Sequence, residues 1–272
     1  MALDMETPGL VKARGTPTPP SWRALAYWAY SYKRTWRGSV ATSFLIPVLY
    51  LAAMGIGLGS LVDHHSHTVG GVKYLDYLAP GLLASTAMQI GANESMYPVM
   101  GAIKWIRTYF AMLATPLSVT DVLLGTVCWI AVRLTIVSSI YLCVIAAFGV
   151  AQSPLTILAL PAAVLTGLAF ACPIAAFAAV CQNDVWFSTI YRFGIVPLFL
   201  FSATFFPVSQ LPAWLRPIAY ATPLYHGVTL CRELVLGDVD WALVPAHVGY
   251  LVALALVGYA LARRTFRNRL IT

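Results

Sequence analysis

Apolar residues recur along this chain in long runs, each closed by a short polar or proline-containing stretch. From position 40 onward six such runs follow one another, at 40–61, 74–97, 120–148, 155–181, 186–206 and 241–262. Each is longer than the ~20 predominantly apolar residues with which an α-helix crosses a bilayer. The pattern predicts an all-α polytopic membrane protein with six transmembrane helices in one integral membrane domain, 39–272. The first run carries Pro47 and the series Gly55, Gly57, Gly59, which lets helices approach closely.

Three stretches depart from this pattern. Residues 21–38 alternate Trp22, Leu25, Ala29, Tyr32 and Trp36 at helical spacing with Arg23, Lys33, Arg34 and Arg37. They predict an amphipathic interfacial helix capped by Ser21. The stretch 101–114 predicts a second short amphipathic helix, with Ile103, Ile106, Phe110 and Leu113 on one face and Lys104 and Arg107 opposite, stopped by Pro116. The stretch 205–238 is too apolar for a surface loop, yet Pro207, Pro212, Pro217 and Pro223 break it too often for a span. It reads as a short re-entrant helix pair within 207–236. Trp214, Tyr220, Tyr225 and Arg232 suit headgroup depth.

Composition agrees. The chain is 60% hydrophobic and 10% charged, where soluble domains carry about 25% charged residues. Residues 1–20, with four prolines and no apolar run, read as a disordered cytosolic tail rather than a signal peptide. The net charge of +7 sits in three clusters: the N-terminal flank, Lys104 with Arg107, and Arg263, Arg264, Arg267 and Arg269. An even number of spans puts all three on one side, which the positive-inside rule makes cytosolic. Anionic lipid accounts for them without nucleic acid.

Candidate chemistry is sparse. The five cysteines are scattered without a C-x-x-C pair. Asp63, His64, His65, Ser66 and His67 form a cluster with ligand-type side chains but no spaced partners, and a solvated loop is the simpler reading. No phosphate-binding loop of the G-x-x-x-x-G-K-[ST] type occurs. An intrinsic catalytic site is not expected. Arg133 and Arg192 fall inside runs and need the bundle interior, a wet cavity or a carboxylate such as Glu94, Asp121 or Asp184. For Arg133 two readings stay open, a structural role (an ion pair or snorkelling toward the interface) or a contact for a lipid phosphate or acidic headgroup; for Arg192 the structural one is favoured. His226 is open to a proton-relay reading.

The order of elements, together with FFP…LP.WL……ATPLYH……R.L..G at the end, YLDYLAPGLLA at 74–84, the Glu94 region and RTYFAMLATPLSVTDVLLG at 107–125, resembles the permease of type-2 ATP-binding-cassette (ABC) transporters. Within that group it is similar to nodulation-type lipo-oligosaccharide exporters and daunorubicin-type drug exporters of actinobacteria. The resemblance implies the transmembrane subunit of an exporter in the bacterial inner membrane, both termini cytosolic, moving an amphipathic lipid-like, glycolipid or drug substrate outward. It implies a second permease copy or a sibling, and two copies of a cytosolic ATPase that bind the ATP and magnesium. It makes 101–114 the coupling helix, with Ile103, Ile106, Arg107 and Phe110 docking the ATPase. Trp214, Tyr220, Tyr225, His226 and Arg232 become an outer gate, and Arg133, Arg192 and Glu94 candidate groups along the substrate path. From other classes, an ATP-independent carrier or a non-transporting membrane scaffold remain as alternatives.

Overall fold

A computed structural model describes residues 19–34, 36–38, 45, 48–58 and 72–271. Every element among them is helical. Helix α1 (Pro20–Tyr32) is shorter than the expected 21–38. Ser21 is not its cap: Pro20 takes the first turn, where its missing N–H leaves no orphan donor, and Lys33 and Arg34 turn the chain out. Of the expected run 40–61, the described residues 45 and 48–50 are α-helical and Leu51–Leu58 is π-helical. Pro47, Gly59, the 63–67 cluster and residues 1–18 lie outside them.

Helix α2 (Tyr74–Met100) continues through the π turn Gly101–Trp105 to the short helix α3 (Thr108–Leu113). Helix α4 (Val119–Ala147) opens with a capping box in which Ser118 and Asp121 satisfy each other's backbone N–H groups. A 3-10 turn, Pro154–Leu158, leads into α5 (Ala159–Val180). Next come α6 (Val185–Ile190), a π turn at Tyr191–Ile195 and α7 (Val196–Phe201), continuous with one another. The proline-rich stretch forms α8 (Arg216–Ala221) and α9 (Pro223–Leu236), the latter capped by Thr222 and ended by Gly237 in the left-handed region (φ 87°). The last helix, α10 (Val244–Ile271), runs well past the predicted end at 262.

Three helices are long and apolar enough to cross a membrane among the described residues: Val119–Ala147, Pro154–Val180 and Val244–Ile271. Helix α2 has comparable length, but Asp76, Gln89, Asn93 and Glu94 interrupt its apolar run, and most of its surface is buried by neighbours. The apolar helix Val185–Phe201 is shorter, about 26 Å at 1.5 Å per residue.

Helix α5 is the centre of the bundle, packed chiefly against α10 and α2, with α4 and α9 beside it. Between membrane helices lipid supplies no hydrophobic drive, so close van der Waals contact must do so, and small residues permit it. Gly91 of α2 lies directly on Gly167 of α5; a Cβ built on Gly91 would meet the Gly167 backbone. Gly125 of α4 likewise leaves room for Ala24 of α1, which is fully buried there. That contact turns α1 differently from expectation. Its inward stripe is Ala24 and Trp28, whereas Trp22 is 60% exposed.

Candidate functional site

At one end of the bundle lie the stretch 101–118, Gln182 and the end of α10. The amphipathic helix expected over 101–114 is two pieces, because Arg107 adopts the left-handed conformation (φ 57°, ψ 29°) between the π turn and α3. A non-glycine residue there costs about 1–2 kcal/mol, so neighbouring contacts must hold it. The break separates side chains that a continuous helix would align. Ile103 is buried, while Ile106 is 75% and Phe110 41% exposed. Trp105 joins the exposed group.

Tyr109 anchors the exposed piece from within. Its ring is wholly buried between Trp28 of α1 (6.4 Å) and Phe266 of α10 (5.6 Å), and its hydroxyl shares a hydrogen bond of 3.1 Å with Thr126 of α4. Burial raises the phenol above its ordinary range, opposed by the Thr126 bond. Lys104 Nζ donates to the Gln182 carbonyl at 2.6 Å and Arg269 donates to the Gln182 side chain at 3.3 Å. A cavity of about 610 Å³ opens here, lined by Ile103, Lys104, Arg107, Phe110, Asn268 and Arg269.

Half-way along α4, Arg133 Nε donates to Glu94 Oε1 at 3.0 Å, the one ion pair among the described residues. Arg133 Nη1 donates to the Tyr32 hydroxyl at 2.7 Å, and the guanidinium lies over the Tyr32 ring at 4.5 Å. Tyr32 in turn meets Trp129 edge-on at 5.4 Å. Three helices, α1, α2 and α4, are thus joined around one charge, which answers the cost of placing it in a span. Arg192 differs from expectation: it is exposed, with no carboxylate among the described residues within ion-pair distance. Asp121 is committed to its capping box instead.

At the opposite end Trp214 is 71% exposed and Tyr220 46%, whereas Tyr225 turns inward and stacks edge-on with Tyr220 at 5.0 Å. His226 Nδ1 lies 2.6 Å from His247 Nδ1, and its ring lies 4.3 Å from that of Tyr250. Burial, and then the neighbouring His247, lower the proton affinity of His226. Arg232 does not face outward. Its Nε donates to the Tyr77 carbonyl at 3.1 Å, its Nη2 to the Ala203 carbonyl at 2.8 Å, and it lies 3.7 Å over the Tyr77 ring. Ala203 is left-handed (φ 63°), and its neighbours complete the knot: Ser202 bonds to Thr222 and Thr204 to Ser85, both at 2.9 Å.

Tyr109, His247 and the 202–204 turn escaped the sequence reading. The only signals were polar or aromatic residues in apolar surroundings, which do not specify a partner. Among the described residues no group of three or more His, Cys, Asp or Glu side chains is placed to hold a metal.

Residues 23–236 match the family described as ABC-2 type transporter. The chain belongs to that family. It is therefore an integral membrane transport protein, and the resemblance seen in the sequence to type-2 ABC permeases holds. Similar proteins include Nodulation protein J of Rhizobium leguminosarum bv. trifolii, 34% identical over 91% of this chain and 94% of that protein. Nodulation protein J of Rhizobium meliloti (strain 1021) is 30% identical over 92% and 94%. That of Rhizobium leguminosarum bv. viciae is 32% identical over 90% and 94%.

Proposed function

We propose that this chain is the membrane-spanning subunit of an ATP-driven exporter in the bacterial inner membrane, crossing six times with both termini cytosolic. Two copies of a separate ATPase bind ATP and magnesium, close on one another, and press on the segment 101–114 of two permease copies. The observation that carries this reading is the exposure of Ile106 and Phe110 beside the buried Tyr109 and Met112. Apolar side chains held out on either side of the left-handed Arg107, Ile106 at the end of the π turn and Phe110 on the firmly rooted helix α3, suit insertion into a groove on another protein, and Arg107 between them adds a charge that can fix register. Mechanical force applied there reaches α1, α4 and α10 through the Tyr109 contacts.

The substrate in this reading is amphipathic and lipid-like, a glycolipid or a drug. Broad apolar helices with a single ion pair among the described residues favour it over a small ion, and Trp214, Tyr220 and Tyr225 suit handing such a molecule through the headgroup layer. Reconstitution in vesicles with the ATPase encoded beside this chain tests the proposal. ATP turnover and outward movement of a lipid extract should require both proteins and fall at least tenfold for Ile106→Asp or Phe110→Asp. Transport without any ATPase would replace it with an autonomous carrier, and no transport or association at all with a scaffold.

A further inference from the structure

Beside α3, a second and larger cleft of about 1090 Å³ opens between the loop that enters α4 and the last turns of α10. Arg263, Arg264 and Arg267 line one wall. At spacings of one, three and four residues they crowd one side of the helix, and all three are exposed. No carboxylate among the described residues pairs with any of them. Asp121, next in sequence to the lining residue Thr120, is bound to the Ser118 backbone N–H and hydroxyl. The other wall mixes apolar Leu113, Leu117 and Val119 with Ser118 and Thr120, and Leu270 and Ile271 line the end of α10.

Two further observations say what such a cleft takes. Arg263 lies about 28 Å along the axis from Val244 at 1.5 Å per residue, so the arginines fall where a ~30 Å hydrocarbon layer ends. Two turns earlier, on the same side of the helix, Leu256 and Val257 are 63% and 58% exposed, and Leu261 is 51% exposed. Fixed cations thus stand at headgroup depth directly beyond an open apolar stripe.

We infer that this cleft is a binding site for an anionic diacyl phospholipid of the cytosolic leaflet, its phosphate held by Arg263, Arg264 and Arg267 and its acyl chains lying along Leu256, Val257 and Leu261. Guanidinium forks match phosphate oxygens in geometry as well as charge. The orientation rests on the proposed topology, but lipid binding itself needs neither ATPase nor substrate. An acidic segment of a partner protein would not need the apolar stripe. Because the cleft borders α3, the bound lipid would wedge the docking segment against the last helix.

Native mass spectrometry of the purified full chain, exchanged into phosphatidylcholine alone or with phosphatidylglycerol, tests this. Phosphatidylglycerol should be retained on the wild type and retained about thirtyfold less on R263Q/R267Q, as expected for two cations removed from a charged lipid surface. R263K/R267K should keep most of the retention, which separates lost charge from lost folding. R269Q should retain as the wild type does, since Arg269 is engaged with Gln182. Equal retention in R263Q/R267Q, an equal loss in R269Q, or displacement by inorganic phosphate alone would each overturn the lipid site. So would loss of ATPase association in R263Q/R267Q with lipid retention intact, which would make the cleft a protein-docking surface.

Discussion

Tyr109 rests against Phe266 at 5.6 Å with no exposed surface of its own, so the short helix that carries Phe110 is keyed to the far end of the last helix. Removing the ring empties a closed volume between α1, α4 and α10. Tyr109→Ala should destabilise the protein by about 3–5 kcal/mol. Tyr109→Phe, which keeps the volume and loses the Thr126 bond, should cost about 0.5–1.5 kcal/mol. Thermal unfolding in detergent measures both. An Ala variant as stable as Phe would show that the ring is not the anchor.

Arg133 and Glu94 should behave as a unit. Either single change, Arg133→Leu or Glu94→Leu, strands a charge that neighbours Tyr32 and Trp129 only partly solvate, and should lower stability by several kcal/mol, up to about 3–5. The double change should recover much of that loss. A double-mutant cycle on unfolding midpoints reads the coupling; strictly additive losses would mean that the 3.0 Å contact contributes nothing.

The glycine contacts give a paired comparison. Gly91→Ala forces a methyl into the Gly167 backbone and should cost about 1–3 kcal/mol through overpacking. Gly249→Ala, on α10 with nothing within 4 Å of its built Cβ, should stabilise by up to about 1 kcal/mol from helix propensity. Similar melting shifts for the two would remove the packing argument.

The contact of His226 with His247 carries a pH dependence with a definite sign. A single proton between the two Nδ1 atoms makes one hydrogen bond, and protonating both Nδ1 atoms sets two N–H donors against each other on a positively charged pair, with Tyr220, Tyr225, Tyr250 and Asp240 as the other titratable neighbours. Because His226 holds its proton less well folded than unfolded, its contribution is complete above its ordinary value of 6.5 and is lost as the pH falls below it. Melting temperature should drop between pH 6.5 and 5, and His226→Gln should flatten that slope. An unchanged slope in His226→Gln would assign the acid sensitivity elsewhere.

The long helices were legible because a run of apolar residues has few ways to satisfy its backbone in lipid. The pairing of Arg133 was legible for a related reason: a mid-span cation needs a partner, and Glu94 was among the few carboxylates available. The share of Tyr32 was not, since it depends on how α1 lies on α4, and that is decided by Ala24 filling the space at Gly125. Periodicity also misled at 101–114. It assumes unbroken helical dihedrals, and with Arg107 left-handed Ile103 is buried while Ile106 and Phe110 are exposed. Arg232, read from its flanking aromatics as a headgroup contact, is committed inward by the carbonyls of Tyr77 and Ala203. Backbone acceptors freed by an irregular turn leave no mark in a list of side chains.

Where Gly91 meets Gly167, main chain touches main chain with no side chain between to slide or rotate. Such a crossing acts as a fulcrum. The two helices can scissor about it at little cost but resist being drawn apart, so spreading one end of the bundle would tend to narrow the other. A force arriving at Ile106 and Phe110 would then be converted, without any moving part in the middle, into opposite movements at the two faces of the membrane.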